Sequence, residues 1–147
     1  MSLTKTKQPF LALSKICLNN WHYIDQKILS FNDGINFFTG HSGSGKSTVI
    51  DAMQIVLYAN TDGRGFFNKA AADDSDRNLI EYLRGMVAVG EKDEVTYLRN
   101  KNFSTTIVLE FTQTESDEKE CLGVVFDVDT ARNDTSRLSV SYTHLRA

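Results

Sequence analysis

The chain has a single proline, two cysteines and three histidines in 147 residues. Cys17 and Cys121 lie far apart with no Cys-x-x-Cys pair, and His22, His41 and His144 are scattered. This spacing excludes a zinc motif and points to a reducing, cytosolic setting. No apolar stretch approaches the roughly 18 residues of a membrane span, and the N-terminus lacks the apolar core of a signal peptide. A soluble, intracellular protein without a membrane partner is therefore expected. Positive charge is not in surplus either. Sixteen Lys and Arg stand against 19 Asp and Glu, a formal net charge of −3, which argues against a strong free-standing nucleic-acid binder. Any DNA contact must then be local or shared with partners. Internal repeats and low-complexity linkers are also missing. With 41% hydrophobic residues the chain can bury the core of one modest domain.

What the sequence does have is the octapeptide Gly40-His41-Ser42-Gly43-Ser44-Gly45-Lys46-Ser47, a full match to the phosphate-loop pattern G-x-x-x-x-G-K-[ST]. The physical basis of that pattern is explicit. Glycines let backbone N–H groups curl around phosphate oxygens, and a helix N-terminus adds positive potential at the same place. Gly40, Gly43 and Gly45 allow backbone conformations or approaches that a Cβ would block. Lys46 is the expected catalytic side chain, reaching the β- and γ-phosphates, and Ser47 the expected Mg²⁺ ligand. His41, Ser42 and Ser44 offer backbone amides, and Thr48 supports the loop from behind. The setting agrees: the largely apolar run Gly34 to Thr39 reads as a buried strand feeding into Gly40. Beyond Lys46, Val49, Ile50, Met53, Val56 and Leu57 fall at helical spacing over about three turns. The implied ligand is ATP with Mg²⁺.

Along the rest of the chain, residues 1–9 are polar and basic and are expected to fray. Phe10 to Ile16 reads as a first strand and Gln26 to Phe31 as a second. Asn32-Asp33-Gly34 gives the turn for an antiparallel return into the strand that ends at the phosphate loop. Residues 60–65 form a loop. Leu79, Tyr82, Leu83 and Met86 then repeat at helical spacing, with Asp73, Asp74 and Asp76 suited to the helix start, Arg84 in its last turn and Gly85 near its close. Thr105 to Phe111 and Leu122 to Val128 both alternate, so they read as a hairpin with one buried face across the acidic stretch Gln113 to Glu120.

Asn20-Trp21, the loop T-G-H-S-G-S-G-K-S-T, the helix opening V-I-D-A-M-Q-I-V-L, then G-F-F-N-K-A and E-Y-L-R-G together resemble the N-terminal head segment of an SMC-like ATPase. Within that family the likeness is to the large subunit of bacterial Wadjet and MukB-type condensin systems, over roughly residues 10 to 128. The resemblance implies an α/β P-loop NTPase fold, the N-terminal half of an ABC-type head with an antiparallel β portion, spanning 10–138. It also implies a divided enzyme, in which a long coiled coil and a C-terminal segment supply the signature motif and the acidic Walker B pair. ATP would sit between two heads, and their engagement would couple Mg-ATP hydrolysis to non-sequence-specific DNA binding or translocation. Kleisin-type and accessory subunits would be partners, and the location cytoplasmic and nucleoid-associated. Plasmid defence and chromosome organisation both fit.

Several positions keep two readings. Arg64 resembles the arginine that couples DNA to nucleotide in related heads, or is a solvated loop residue. Asn20 and Trp21 contact the base or ribose, or Trp21 is a buried anchor. Lys69, Arg77, Arg84, Arg99 and Lys101 contribute to a shared basic surface, or are simply solvated. Val124-Val125-Phe126-Asp127 has the outline of a Walker B strand, which would make the chain a complete small NTPase with Asp127 near Mg²⁺. Against this, valine follows Asp127 where such ATPases place glutamate. A non-catalytic nucleotide sensor is the remaining alternative. Finally, residues 139–147 break the preceding pattern and resemble translated sequencing adaptor, so they are read as a non-native tail.

Overall fold

The computed structural model describes residues 9–58, 79–89, 95–130 and 137–146. The first strands are β1 (Leu11–Trp21) and β2 (Ile24–Ser30), followed by helices α1 (Lys46–Tyr58) and α2 (Leu79–Arg84). After them come β3 (Met86–Val89), β4 (Val95–Tyr97), β5 (Phe103–Gln113), β6 (Lys119–Asp129) and β7 (Arg137–Arg146). Five strands form one antiparallel sheet in the order β2-β1-β5-β6-β7, and β3 and β4 pair as a separate ribbon. Because β1 pairs directly with β5, Leu11 opposite Gln113 and Asn19 opposite Thr106, both helices lie in the connection between two neighbouring strands.

One face of the sheet is buried, for the reason its alternation gives. Ile16, Leu18 and Trp21 of β1, Ile107 and Leu109 of β5, and Val124, Phe126 and Val128 of β6 point inward. They form one cluster with Val49, Ala52, Ile55 and Val56 of α1 and Leu79, Tyr82 and Leu83 of α2. Each large side chain so removed from water contributes about 1.5–3 kcal/mol. Thr105 is the polar member of the face, and its hydroxyl donates to the Asn20 carbonyl at 2.7 Å.

β1 extends past the expected Ile16 to Trp21, and its alternation is broken twice. The register with β5 shifts between Leu13 and Lys15, leaving Ser14 as an extra residue, and the Ser14 hydroxyl donates to the Glu110 carbonyl at 3.0 Å. Asn20 then takes a positive φ of 51°, which brings Trp21 back to the inner face. The hairpin expected from Thr105 to Val128 forms as β5 and β6, two to three residues longer at most ends.

Three expectations are corrected. No strand forms over residues 35–39, and Ile35 and Phe37 are 77% and 83% exposed. The antiparallel return before the loop is therefore not made. Instead, the Asn36 side chain bridges the Asn32 turn, accepting from its N–H at 2.8 Å and donating to its carbonyl at 3.0 Å. In α1, the buried stripe is Val49, Ala52, Ile55 and Val56, with Ile50 and Leu57 turned outward and Asp51 buried in their place. Met86 opens β3 and does not extend α2, which stops at Gly85, a residue with φ of +68°. Residues 139–146, whose origin the pairing does not address, lie in β7, an edge strand pairing Val140 with Phe126 and Arg146 with Glu120.

Candidate nucleotide site

The loop from Gly40 to Ser47 turns tightly, with Gly40, Gly43 and Gly45 at φ of 151°, 80° and 90°. Gly40 is the most constrained of the three: a Cβ there would meet Ser44 Oγ at 2.5 Å. Ser44 N–H donates to the His41 carbonyl at 3.2 Å, and Val49 N–H to the Gly45 carbonyl at 3.1 Å, so Gly45 caps α1. The first helical N–H groups lack intrahelical acceptors by geometry, and no acidic residue occupies the first turn. The result is an electropositive helix end facing the loop, a site suited to an anion.

Lys46 is folded into that loop. Its Nζ donates to the Gly40 carbonyl at 2.6 Å, to the His41 carbonyl at 2.8 Å and to Ser44 Oγ at 3.2 Å. The ammonium therefore stands beside the loop backbone, where a polyphosphate would sit against Lys46 and the helix end. Ser47 is exposed, one residue further into the helix, with a hydroxyl of the type that ligates Mg²⁺. Among the described residues no three His, Cys, Asp or Glu side chains gather as a metal site. His41 and Ser42 are exposed in the loop, and Thr48 is half-buried.

Asn20 and Trp21 are used structurally. The Asn20 side-chain amide donates to the Ser104 carbonyl at 3.0 Å. Trp21 is 0% exposed and its indole N–H donates to the Thr48 carbonyl at 2.7 Å, so it presents no surface to a base or ribose. Arg64 lies outside the described residues, as do Lys69 and Arg77. Arg99 does not join a basic surface. Its side chain is only 10% exposed, and its guanidinium donates to the carbonyls of His22 at 2.6 Å and Leu83 at 2.9 Å, fastening the β1–β2 turn to the end of α2. That burial lowers its pKa, with Asp25 pulling the other way. Arg84 stacks 3.8 Å from the Tyr97 ring centre, whereas Lys101 is exposed.

Asp127 lies on the outer face of β6, between the inward-facing Phe126 and Val128. It is exposed on the sheet face opposite the core that holds α1, where it accepts from the Ser104 hydroxyl. The open hollow beside it, about 510 Å³, is lined by Asn102 to Ser104, Asp127 to Asp129 and Ser139, none of them from the loop. One residue that supports the site, Asp51, was not singled out in the sequence. Asp51, buried on α1, accepts from Tyr82 Oη at 3.1 Å; an acid inside an apolar helical stripe was the available signal.

Residues 13–74 match the family model of the P-loop containing region of AAA domain. That stretch is similar to a P-loop region of AAA type, which supports a P-loop nucleotide-binding fold. The match begins within β1 and runs through β2, the loop and α1. No curated protein matches the chain. Among the described residues no helix is long and apolar enough to cross a membrane.

Proposed function

We propose that this chain is the ATP-binding part of an SMC-like ATPase head of the Wadjet or MukB-type condensin kind. In the full protein, Mg-ATP hydrolysis and engagement with a second head would be coupled to DNA binding or translocation at the nucleoid, with kleisin-type and accessory subunits. The observation that carries the nucleotide reading is Lys46 held within the positive-φ glycine loop at an acid-free helix end. Two features favour a divided head. The I-D-A-M-Q helix with the Y-L-R-G segment is more selective than the loop alone. The apolar run 35–39, strand-like in sequence, is left exposed beside the loop, as expected of a strand whose neighbours come from another segment.

ATP bound here would supply the phosphoanhydride, and the chain's own residues would bind and orient it. Lys46 would turn from the Gly40 and His41 carbonyls to meet phosphate oxygens, the loop amides would take the remaining charge, and Ser47 would offer its hydroxyl to Mg²⁺. The arginine role proposed for Arg64 rests on the resemblance alone. Calorimetric titration with Mg-ATP tests the reading: Lys46→Ala is expected to remove measurable binding, and unchanged affinity refutes it. Turnover by the isolated monomer would instead favour a complete small NTPase.

A further inference from the structure

Among the described residues, two kinds of contact hold α1 against the sheet and α2. Val49, Ala52, Ile55 and Val56 are buried, but apolar contact is non-directional and defines a helix's height and rotation only loosely. Two polar bonds define them closely. Trp21 Nε1 donates to the Thr48 carbonyl at 2.7 Å, and Tyr82 Oη donates to Asp51 Oδ2 at 3.1 Å. Thr48 and Asp51 are three residues apart and so share one side of the helix. The donors also touch each other, with ring centroids 5.1 Å apart, and are 0% and 6% exposed. One comes from β1 and the other from α2. A helical carbonyl that accepts from the amide four residues on keeps a second lone pair, so the indole bond need not break the helix.

We infer that Trp21, backed by Tyr82, is a positioning residue for the nucleotide: it sets where the N-terminal amides of α1 and Lys46 stand, without touching the ligand. The inference rests on the nucleotide-binding reading above. Thr48 is two residues beyond Lys46, and the Val49 N–H to Gly45 carbonyl bond at 3.1 Å carries its placement into the loop. Misplacement of about 1 Å at a catalytic site costs on the order of 10²-fold in rate. Loss of either of these bonds should weaken Mg-ATP binding by up to about tenfold.

Trp21→Phe keeps an aromatic ring and removes the N–H, and Tyr82→Phe removes the hydroxyl. The test compares Mg-ATP affinity by calorimetry, together with melting temperature, for wild type, both variants, Lys46→Ala, and Ile16→Val, a core change in β1. Both aromatic variants are expected to bind up to about tenfold more weakly, while Ile16→Val lowers the melting temperature and leaves affinity unchanged. Wild-type affinity in Trp21→Phe overturns the inference. If that variant does not fold, wild-type affinity in Tyr82→Phe overturns it equally. Failure of both to fold while Ile16→Val folds assigns the pair a purely structural role and also overturns it, as does an equal loss of affinity in Ile16→Val. Lys46→Ala separates the two levels. Its loss of binding beside an unaffected Trp21→Phe sinks the positioning role alone, and its retention of binding sinks the nucleotide reading with it.

Discussion

Glu110 is a single charge in the middle of three strands, and its surroundings decide which protonation state the fold favours. It stands on the outer face of β5, where its Oε1 lies 3.2 Å from Lys119 Nζ on β6, 3.9 Å from Lys15 Nζ on β1 and 3.0 Å from the Ser14 hydroxyl. Burial pulls its carboxyl upward, but the Ser14 hydrogen bond and the Lys119 ammonium outweigh this, so it lies below the usual carboxylate range. The sign follows from linkage. A carboxyl depressed in the folded state stabilises the fold above its unfolded pKa of about 4.3, and that contribution is lost as pH falls through the lower folded value. Glu110→Gln should therefore reduce stability at neutral pH and flatten the acid limb of the profile below about pH 4.5. Urea unfolding at pH 7 and pH 3 measures both, and an unchanged difference between the two pH values contradicts the assignment. Lys46 is the opposite case: its partners are loop carbonyls and a hydroxyl, which a phosphate can replace.

At the scale of elements, α2 shows how a short helix is stopped and tied down. Six residues supply too little intrinsic helical stability, so the end is fixed from outside. Gly85 turns the chain at φ of +68°, its N–H donating to the carbonyls of Glu81 and Tyr82, both at 3.2 Å, while its own carbonyl accepts from Leu98 at 2.8 Å. A Cβ at Gly85 would lie 3.1 Å from Leu98 Cδ1 and 3.2 Å from the His22 carbonyl. Gly85→Ala should destabilise by about 1–2 kcal/mol from the left-handed backbone alone, read as a lowered melting temperature; an unchanged one would mean that α2 ends by another device. This stop was legible only in part: Gly85 marked the close, but Met86 continued the helical spacing beyond it and belongs to β3. β5 and β6 were legible, since their uninterrupted alternation gave their inner faces directly. β1 was legible only to Ile16, since the extra residue at Ser14 and the left-handed Asn20 disrupt the period that a strand is recognised by. The stripe on α1 was misjudged for a different reason: Asp51 is buried because Tyr82 donates to it, and a partner 31 residues away leaves no mark on local spacing.

For the whole molecule, the decisive asymmetry is between a well-covered inner sheet face and an uncovered run beside the phosphate loop. Phe38 meets Phe31 edge-on with centroids 6.1 Å apart, but Ile35 and Phe37 remain 77% and 83% exposed. Apolar composition alone made this run look like a buried strand. Burial depends on hydrogen-bonding neighbours that the sequence of the run does not contain, and none of the described strands pairs with it. Two large neighbouring side chains left in water favour association between copies, and they contribute little to the stability of the single chain. The chain by itself should accordingly show concentration-dependent sedimentation, and the double variant Ile35→Ser, Phe37→Ser should relieve it. Because exposed substitutions usually change stability by no more than about 0.5 kcal/mol each, the melting temperature should stay nearly constant while association falls. A large drop in melting temperature would show instead that these side chains are buried in solution. The lower-affinity outcome for Mg-ATP is not expected either, since the loop is held through Trp21, Thr48 and Gly45 and not through residues 35–37.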